Sequence, residues 1–232
     1  MTEVAVKVSN LSKKYPNALA LDNINVEFPE GQITGLIGPN GSGKSTLLKI
    51  ISGLVVEDSG QVEISRMEAR KLMDHIAFLP ELNHLYDWFT INEAINFFDA
   101  QYDDFSVEKA EELVDFMNLK MEQKIKTLSK GMVGRLKLIL VLARRAPLLI
   151  LDEPLAGIDP NSRARILESL ISEYEADFQS IIISTHEVVE AERFFDHVVF
   201  LENGKAILKG NTDDLRAERN KSVQELVREV FK

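Results

Sequence analysis

Residues 38–46 constrain this chain more than any other stretch, because they follow the pattern G-x-x-x-x-G-K-[ST] of a phosphate-binding loop. In order, they are Gly38, Pro39, Asn40, Gly41, Ser42, Gly43, Lys44, Ser45 and Thr46. The glycines lack side chains, so successive backbone N–H groups can curl around the oxygens of a polyphosphate. Lys44 supplies a positive charge for the β- and γ-phosphates, and the Ser45 hydroxyl is suited to ligate Mg²⁺. The pattern therefore predicts a polyphosphate site.

The residues on either side of the loop give the context that the motif requires. Ile33–Ile37 is a short apolar run suited to a buried strand, and the residues from Ser45 onward have the apolar spacing of a helix. A helix that begins at Ser45 points its positive end at the same anion. The alternative is an ordinary glycine-rich turn, and the order of strand, loop and helix favours the phosphate-binding loop.

Composition narrows the possible functions. The 232 residues include 27 Lys and Arg, 37 Asp and Glu and no Cys, and the net charge is −10. This charge argues against direct nucleic-acid binding, which needs a basic surface. The lack of Cys excludes disulfides and thiolate metal sites and favours a reducing cytoplasm. No signal peptide is visible, and the apolar runs are shorter than the ~20 residues of a membrane helix. We therefore expect any membrane role to come through a partner.

The run Leu148–Leu151, followed by Asp152 and Glu153, is the second strong signal. The apolar run predicts a strand buried on both faces, and paired carboxylates at the end of such a strand are costly unless they meet a cation or a proton donor. Beside a phosphate-binding loop, Asp152 suits water-mediated coordination of Mg²⁺. Glu153 suits general-base or water-orienting work on the γ-phosphate. The alternative is a strand end capped by two solvated acids.

Two further strand ends place polar residues at the same edge, because the carboxyl ends of parallel strands face the ligand crevice. Glu81 follows Pro80, which stops the apolar strand His75–Leu79, and it is a site candidate. A solvated loop carboxylate is an equally good interpretation of Glu81. His186 follows the buried strand Ser180–Ser184, and we expect it to contact the γ-phosphate.

The remaining pattern predicts an α/β fold with a phosphate-loop core sheet, an antiparallel β subdomain and an inserted helical subdomain. Val4–Val8 and Ile24–Phe28 read as half-exposed antiparallel strands. Asn203 and Gly204 fit the turn of a hairpin, and the tail from Ser222 onward has the spacing of one helix face.

After Leu82 the strand signal disappears, and amphipathic helices are expected over Thr90–Ala100, Val107–Met117 and Leu136–Arg145. We expect one domain over residues 1–232, with a core at 1–81 and 148–232 and the helical subdomain at 82–147.

Two other segments leave alternatives open. Tyr15 lies between the first two strands and is either a packing or surface residue or a ring that stacks on adenine. Ser129 precedes the third expected helix as an N-cap, although Ser129 and Gly131 could also present N–H groups to a phosphate.

With these motifs in this order, the chain resembles the ATP-binding subunit of ABC transporters, in the bacterial exporter-type group, over nearly its full length. The similar segments are Gly38–Thr46 (Walker A), Leu128–Met132 (the signature LSGGQ), Leu148–Glu153 (Walker B with its catalytic Glu), Gly157–Asp159 (the D-loop), His186 (the switch histidine) and Tyr15 (the adenine-stacking aromatic).

This resemblance implies a mechanism that the residues alone do not show. Two subunits would pack head to tail, with each ATP between Gly38–Thr46 of one and Ser129–Gly131 of the other. Asp159 would lie at the same nucleotide. ATP and Mg²⁺ are implied cofactors, and an integral membrane permease is the implied partner. Hydrolysis would power transport, most simply export, with the subunit peripheral on the cytoplasmic face of the membrane.

Three residues depart from the family's pattern. Glu81 stands where the family usually has Gln, while Lys130 and Met132 replace Gly and Gln of the signature. A carboxylate can accept a hydrogen bond from the attacking water or ligate Mg²⁺, but it cannot donate and it adds negative charge beside phosphates. We expect ATP hydrolysis to persist with an altered rate or Mg²⁺ dependence. Lys130 either adds a phosphate contact or faces solvent.

Two other classes remain to be distinguished. A soluble ABC-type module could use ATP-gated dimerisation to control a protein or nucleic-acid machine without transport, although such relatives commonly carry two ATPase halves or a long coiled coil. A P-loop GTPase or kinase is the third possibility, and the chain has no N-K-x-D guanine-recognition motif.

Overall fold

The fold is known from a computed structural model, and its elements follow the expected order of strands and helices. None of the helices in the described part of the chain is long and apolar enough to cross a bilayer. The described residues are 3–65, 75–159, 163, 166–167, 170–171, 174–186, 188–189 and 191–231.

Among the elements with described bounds, strands dominate the first and last parts of the chain, and three α-helices occupy the middle. The strands are β1 (Val4–Tyr15), β2 (Ala18–Pro29), β3 (Ile33–Ile37), β4 (Ser59–Ile64), β5 (Ile76–Leu79), β6 (Leu148–Asp152), β7 (Ser180–Thr185), β8 (His197–Glu202) and β9 (Lys205–Asn211). The α-helices are α1 (Lys44–Ile51), α2 (Ile91–Gln101), α3 (Val107–Phe116), α4 (Lys130–Leu142), α5 (Thr212–Arg219) and α6 (Val223–Val230).

Three strands form an antiparallel sheet in the order β2-β1-β4. Along β1 the buried residues include Val6, Val8 and Leu11, and the intervening residues are more exposed. This alternation is typical of a sheet with one solvated face. The expected antiparallel subdomain is therefore confirmed, with β1 and β2 longer than the sequence pattern indicated.

The second sheet has the order β5-β6-β7-β3-β8-β9, and all neighbours are parallel except β8 and β9. β3, β6 and β7 are buried at every position, as expected for central strands of a parallel sheet covered on both faces. Because these three strands are neighbours and parallel, the segments that follow them meet at one edge. This edge is where the candidate site lies.

Residues 82–147 contain α2, α3 and α4 and none of the named strands among their described positions, as expected. Thr90 and Ser106 cap α2 and α3 with side-chain hydrogen bonds to backbone N–H groups. The third helix begins at Lys130 rather than Leu136, and it ends at Leu142 rather than Arg145. The expectation was wrong at both ends because the apolar pattern marks only the fully buried turns, whereas the Ser129 cap sets the start.

Arg144 joins the helical region to the large sheet. Its guanidinium pairs with Asp104 at 2.9 Å and 3.1 Å, donates to the carbonyl oxygen of Ile76 at 3.0 Å and lies 3.8 Å from the ring centroid of Tyr102. Arg144 is only 4% exposed. The hydrogen-bonding edges of this planar cation and one of its faces are therefore used, as suits a buried arginine.

We expect Arg144→Met to lower the free energy of unfolding by about 2–3 kcal/mol, because the change leaves Asp104 and the Ile76 carbonyl without their donor. The measurement is urea unfolding. Arg145→Met is the matched control, since the side chain of Arg145 is 71% exposed and pairs with Glu175 only at the surface. Equal effects of the two substitutions would contradict this account of Arg144.

The C-terminal segment returns to the large sheet. Asn203 and Gly204 connect β8 and β9 with φ values of 48° and 75°, so the expected hairpin turn is confirmed. The expected tail helix is α6, and Phe231 after it stacks on Phe200 with ring centroids 5.7 Å apart. The sequence reading missed α5. The sequence also indicates a helix from about Asn161, a position that lies outside the described residues.

Candidate functional site

The loop between β3 and α1 requires its glycines for two separate reasons. Gly41 and Gly43 have φ values of 80° and 107°, which lie in the left-handed region that side chains disfavour. A Cβ on Gly38 would collide with the carbonyl oxygen of Leu201, and one on Gly43 would lie 2.5 Å from that of Ala20. The loop therefore packs closely against neighbouring backbone. The helix α1 after it begins at Lys44 rather than at the expected Ser45.

Lys44 is buried at the loop, with 5% of its surface exposed. Its Nζ donates to the carbonyl oxygens of Gly38 at 2.8 Å and Pro39 at 3.2 Å, and it lies 3.5 Å from Oε1 of Glu153. A compact ammonium thus lies between the phosphate-binding loop and the carboxylate at the end of β6. This is the position from which it can meet a terminal phosphate.

Asp152 ends β6, and the hydrogen bonds that described residues make to its side chain all fall on one oxygen. Its Oδ1 accepts hydrogen bonds from the Ser45 hydroxyl at 3.1 Å and the Ser184 hydroxyl at 2.6 Å. Its Oδ2 is buried, and no described residue donates a hydrogen bond to it. Asp152 is 1% exposed, and a buried carboxylate oxygen without a donor is costly unless a cation meets it.

The side chains at this point are suited to bind Mg²⁺. The Ser45 hydroxyl and the Asp152 carboxylate are hard oxygen ligands side by side, and Mg²⁺ uses one or two such groups together with phosphates and water. The described residues contain no cluster of three or more His, Cys, Asp or Glu that would form a metal cage by itself. A metal held partly by the nucleotide suits this arrangement.

Glu153 is the most constrained residue of the site. Its φ of 49° lies in the left-handed region, which is unusual for a residue with a side chain and recurs at functional sites. Its N–H donates to the Ser184 hydroxyl at 2.9 Å, and its Oε2 lies 3.0 Å from Nδ1 of His186. With Lys44 near Oε1, the carboxylate lies between an ammonium and an imidazole.

Ser184 is a site residue that the sequence reading missed. It is fully buried in β7 and pairs in register with Asp152 of β6. Its hydroxyl donates to Asp152 and accepts from the Glu153 N–H, so it fixes both acids at once. The available signal was a hydroxyl within an isoleucine-rich buried strand, which needs a partner.

Glu81 follows β5, and its side chain is exposed. Its backbone carbonyl accepts a hydrogen bond from Nζ of Lys137 at 2.9 Å, and that of Pro80 accepts another at 2.5 Å. Lys137 lies on α4 and is 6% exposed. Burial lowers the pKa of Lys137, while the carboxylates of Glu81 and Asp152 act in the opposite direction. Lys137 was also missed by the sequence reading.

Two further predicted site residues, Tyr15 and Ser129, lie at the end of β1 and at the start of α4. Tyr15 ends β1 with 39% of its surface exposed, and Nζ of Lys13 is 5.7 Å from its ring centroid. Ser129 is exposed and caps α4 by accepting from the Met132 N–H at 3.3 Å. The expected N-cap is therefore confirmed.

The start of α4 packs against the segment that contains Asp159. A Cβ on Gly131 would lie 3.2 Å from the carbonyl oxygen of Gly157, and one on Gly157 would lie 3.1 Å from Cε of Lys130. The Lys130 side chain therefore runs across Gly157, a contact that neither sequence interpretation included. Asp159 is exposed, and its carbonyl oxygen accepts from the Arg163 N–H at 3.1 Å.

Fold and site together define a P-loop ATPase. The family model for the ABC transporter matches residues 21–156, which is more than half of the chain, so this chain belongs to the ABC transporter family as an ATP-binding cassette. A model described as "AAA domain, putative AbiEii toxin, Type IV TA system" matches residues 122–192, a segment that includes β6.

Similar proteins support this assignment. An uncharacterized ABC transporter ATP-binding protein of Methanocaldococcus jannaschii is 33% identical over 90% of this chain and 79% of its own length. The Nod factor export ATP-binding protein I of Rhizobium etli is 32% identical over 93% of this chain and 71% of its own length.

Solved structures agree with the fold and the reaction. The ATP-binding subunit of an ABC transporter superposes with a TM-score of 0.86 at 29% identity, over 98% of this chain and all of that one. A dimeric ATP-binding cassette in a post-hydrolysis state, bound to ADP and Pi, gives 0.78 at 26% identity over 89% of this chain and 98% of that one. Cassettes of this family bind and hydrolyse ATP, and this chain is an ATPase of that class.

Proposed function

We propose that this cassette hydrolyses Mg-ATP within a head-to-tail dimer and powers transport, most directly export, by a separate membrane-spanning subunit. One observation carries the catalytic part: Glu153 is held at a φ of 49° between Lys44 and His186, next to a buried oxygen of Asp152 to which no described residue donates. A constrained base beside a metal-suited carboxylate fits attack of water on a terminal phosphate.

Each residue has a distinct role in this proposal. Glu153 orients the attacking water and takes its proton, while His186 contacts the γ-phosphate and keeps the Glu153 carboxylate in place. Lys44 neutralises charge on the β- and γ-phosphates. The Ser45 hydroxyl and the Asp152 carboxylate would hold Mg²⁺, and Glu81 would accept from water or join the metal. When bound, Mg²⁺ supplies Lewis-acid stabilisation of the phosphate oxygens.

The adenine and the phosphates of the nucleotide are assigned to the residues that lie where each would bind. The Tyr15 ring is exposed enough to stack on adenine. The phosphates lie along the glycine-rich loop, in contact with Gly38, Pro39, Asn40, Gly41, Ser42, Gly43 and Thr46.

The dimer supplies the remaining phosphate contacts. Ser129, Gly131 and the N-terminus of α4 would face the nucleotide of the second subunit, which is this chain or a related one, and Asp159 would lie at the same junction. The dimeric state of a similar cassette supports this arrangement. Because ATP would touch both subunits only in the closed pair, its binding shifts the equilibrium towards closure and hydrolysis reverses it.

We also propose that the chain is one domain over residues 1–232, with the core at 1–81 and 148–232 and the helical subdomain at 82–147. The link through Arg144 and the contacts of Lys137 with the end of β5 support one mechanical unit with two parts.

The membrane partner is inferred from an apolar groove between the large sheet and α2. The groove encloses about 400 Å³ and is lined by aromatic side chains that include Tyr86, Phe89 and Phe97, and Trp88 beside it is 67% exposed. An exposed aromatic cluster of this kind marks an interaction surface. We assign it to a cytoplasmic helix of the membrane subunit, which would hold the ATPase at the inner face of the cell membrane.

The test is recovery of the partner by the Glu153→Gln protein, with Mg-ATP, from detergent-solubilised membranes of its own source. We expect mass spectrometry to find a stoichiometric protein with several apolar spans of ~20 residues. Phe97→Glu in the same background should lower its recovery at least about tenfold, because a charge in the groove must be desolvated on docking. Phe178→Glu is the matched control, since Phe97 and Phe178 are both 42% exposed and Phe178 does not line this groove.

Recovery of a soluble partner, or of self-associated cassette alone, would instead indicate that the protein is an ATP-gated regulatory module. Equal recovery with Phe97→Glu and Phe178→Glu would remove the groove as the docking surface without affecting the ATPase assignment.

A further inference from the structure

Lys137 is an unusual residue in the core. It lies on the buried face of α4 between Leu136 and Leu138, and Lys44 is the other lysine that the described part of the chain buries. A buried ammonium is costly unless it is paired and hydrogen-bonded. The role of Lys44 is explained by phosphate binding, whereas Lys137 has no place in the catalytic proposal above.

The contacts of Lys137 point to the segment that carries Glu81. Its Nζ donates to the carbonyl oxygens of Pro80 and Glu81, the two residues that follow β5. An ammonium has three donors, so these carbonyls leave one donor for a side chain, water or phosphate. The end of β5 is thereby tied directly to α4.

Burial lowers the pKa of the Lys137 ammonium from its ordinary value, and two nearby carboxylates oppose this shift only in part. These are the carboxylates of Glu81 and Asp152. The ammonium therefore interacts electrostatically with the acid that replaces the family's usual Gln and with the acid proposed to hold Mg²⁺. A carboxylate at Glu81 would add negative charge near bound phosphates, and the contact of Lys137 with the Glu81 backbone carbonyl places an ammonium nearby to offset it.

We propose that Lys137 is a positioning residue that holds the Glu81 segment against α4 and neutralises the Glu81 carboxylate, so that an acid can act where a neutral amide is usual. This proposal rests on the catalytic site proposed above. Because Ser129 caps the same helix, a shift of α4 on dimer closure would move the end of β5 with it. The position of Glu81 would then report whether the signature of the subunit is engaged.

A purely structural role for Lys137 makes a different prediction. If Lys137 only satisfies two backbone carbonyls, its loss should have the same effect whether residue 81 carries a charge or not. If it compensates the Glu81 carboxylate, removal of that carboxylate should remove most of the effect. A double-mutant cycle between the two positions separates the two roles.

The experiment measures steady-state ATPase activity of the full chain as a function of ATP and of Mg²⁺, for Lys137→Met, Glu81→Gln and both together. We expect Lys137→Met alone to lower kcat about tenfold or more, with the KM for ATP changed less than about threefold. In the Glu81→Gln background the same substitution should lower kcat less than about threefold. Glu81→Gln alone should shift the Mg²⁺ dependence.

Two further variants keep the result interpretable. Lys137→Gln keeps N–H donors at this position but removes the charge. The cycle is repeated with this variant if Lys137→Met does not fold. Arg135→Met is the control on the same helix, since Arg135 donates to the Met117 carbonyl at 2.7 Å and should show the same fold-change in both backgrounds.

Equal losses from Lys137 substitution in the two backgrounds would overturn the proposed compensation of Glu81. Failure of the underlying catalytic site is seen separately, because Glu153→Gln would then keep wild-type turnover. With Glu153→Gln inactive and the cycle additive, only the role of Lys137 is rejected.

Discussion

Glu153→Gln is expected to lower the ATPase rate by about 10²–10⁴-fold, the usual cost of losing a well-placed general base. The amide has nearly the same shape as the carboxylate but cannot take the proton of the attacking water. The phosphate-binding loop, Lys44 and Ser45 are unchanged, so the affinity for ATP should stay within a few-fold of wild type. Nucleotide would consequently remain bound, and the dimer would persist.

Turnover is measured by phosphate release, and binding by equilibrium titration with a fluorescent ATP analogue. Glu202→Gln is the matched control, because Glu202 ends β8 at the same edge of the sheet. It should keep activity within about twofold, because this half-buried acid has no proposed role in the reaction. Wild-type turnover by Glu153→Gln would remove Glu153 from its proposed role.

The candidate site residues could be proposed from local sequence patterns, whereas their geometry could not. The glycine spacing at residues 38–43 and the acids after Leu151 each have a local physical cause, so they could be read from the chain itself. The loops that follow parallel strands of one sheet lie at the same edge, and only β7 separates β6 from β3, so Asp152 and Glu153 lie beside the phosphate-binding loop. The structure confirms this proximity through the contacts of Lys44 and Ser45.

The two site residues that the sequence did not reveal, Ser184 and Lys137, depend on contacts between segments that are far apart in the chain. Ser184 became a site residue only because β6 and β7 are neighbours in a register that pairs it with Asp152. Lys137 reads as an interruption of an apolar helix until the end of β5 is placed against it. The start of α4 was missed because its first turn is only partly buried, so periodicity gave no signal there.

The signature segment shows that a single chain does not reveal every functional residue. In one chain, Ser129 is an N-cap and Lys130 covers Gly157, which are complete structural explanations. A role in binding phosphate follows only if a second subunit brings its nucleotide to this surface. Residues that serve a dimer in this way look ordinary in the sequence and structure of the monomer.

Lys44→Ala is expected to weaken ATP binding by about 30–150-fold, equivalent to the loss of one charge-assisted contact of about 2–3 kcal/mol. The ammonium of Lys44 is held by the Gly38 and Pro39 carbonyls and lies near Glu153. Its removal takes away the positive charge for the phosphates and leaves the Glu153 carboxylate without that cation. Turnover at subsaturating ATP should fall at least in proportion to the affinity.

Lys49→Ala tests whether this effect belongs to position 44 or to any lysine of the same helix. Lys49 lies in the last turn of α1, away from the loop, so its removal should change the dissociation constant for ATP less than about twofold. Thermal unfolding without nucleotide shows whether either variant is destabilised. A folded Lys44→Ala protein that binds ATP as tightly as wild type would mean that backbone N–H groups alone hold the phosphates, and the charge of Lys44 would need another explanation.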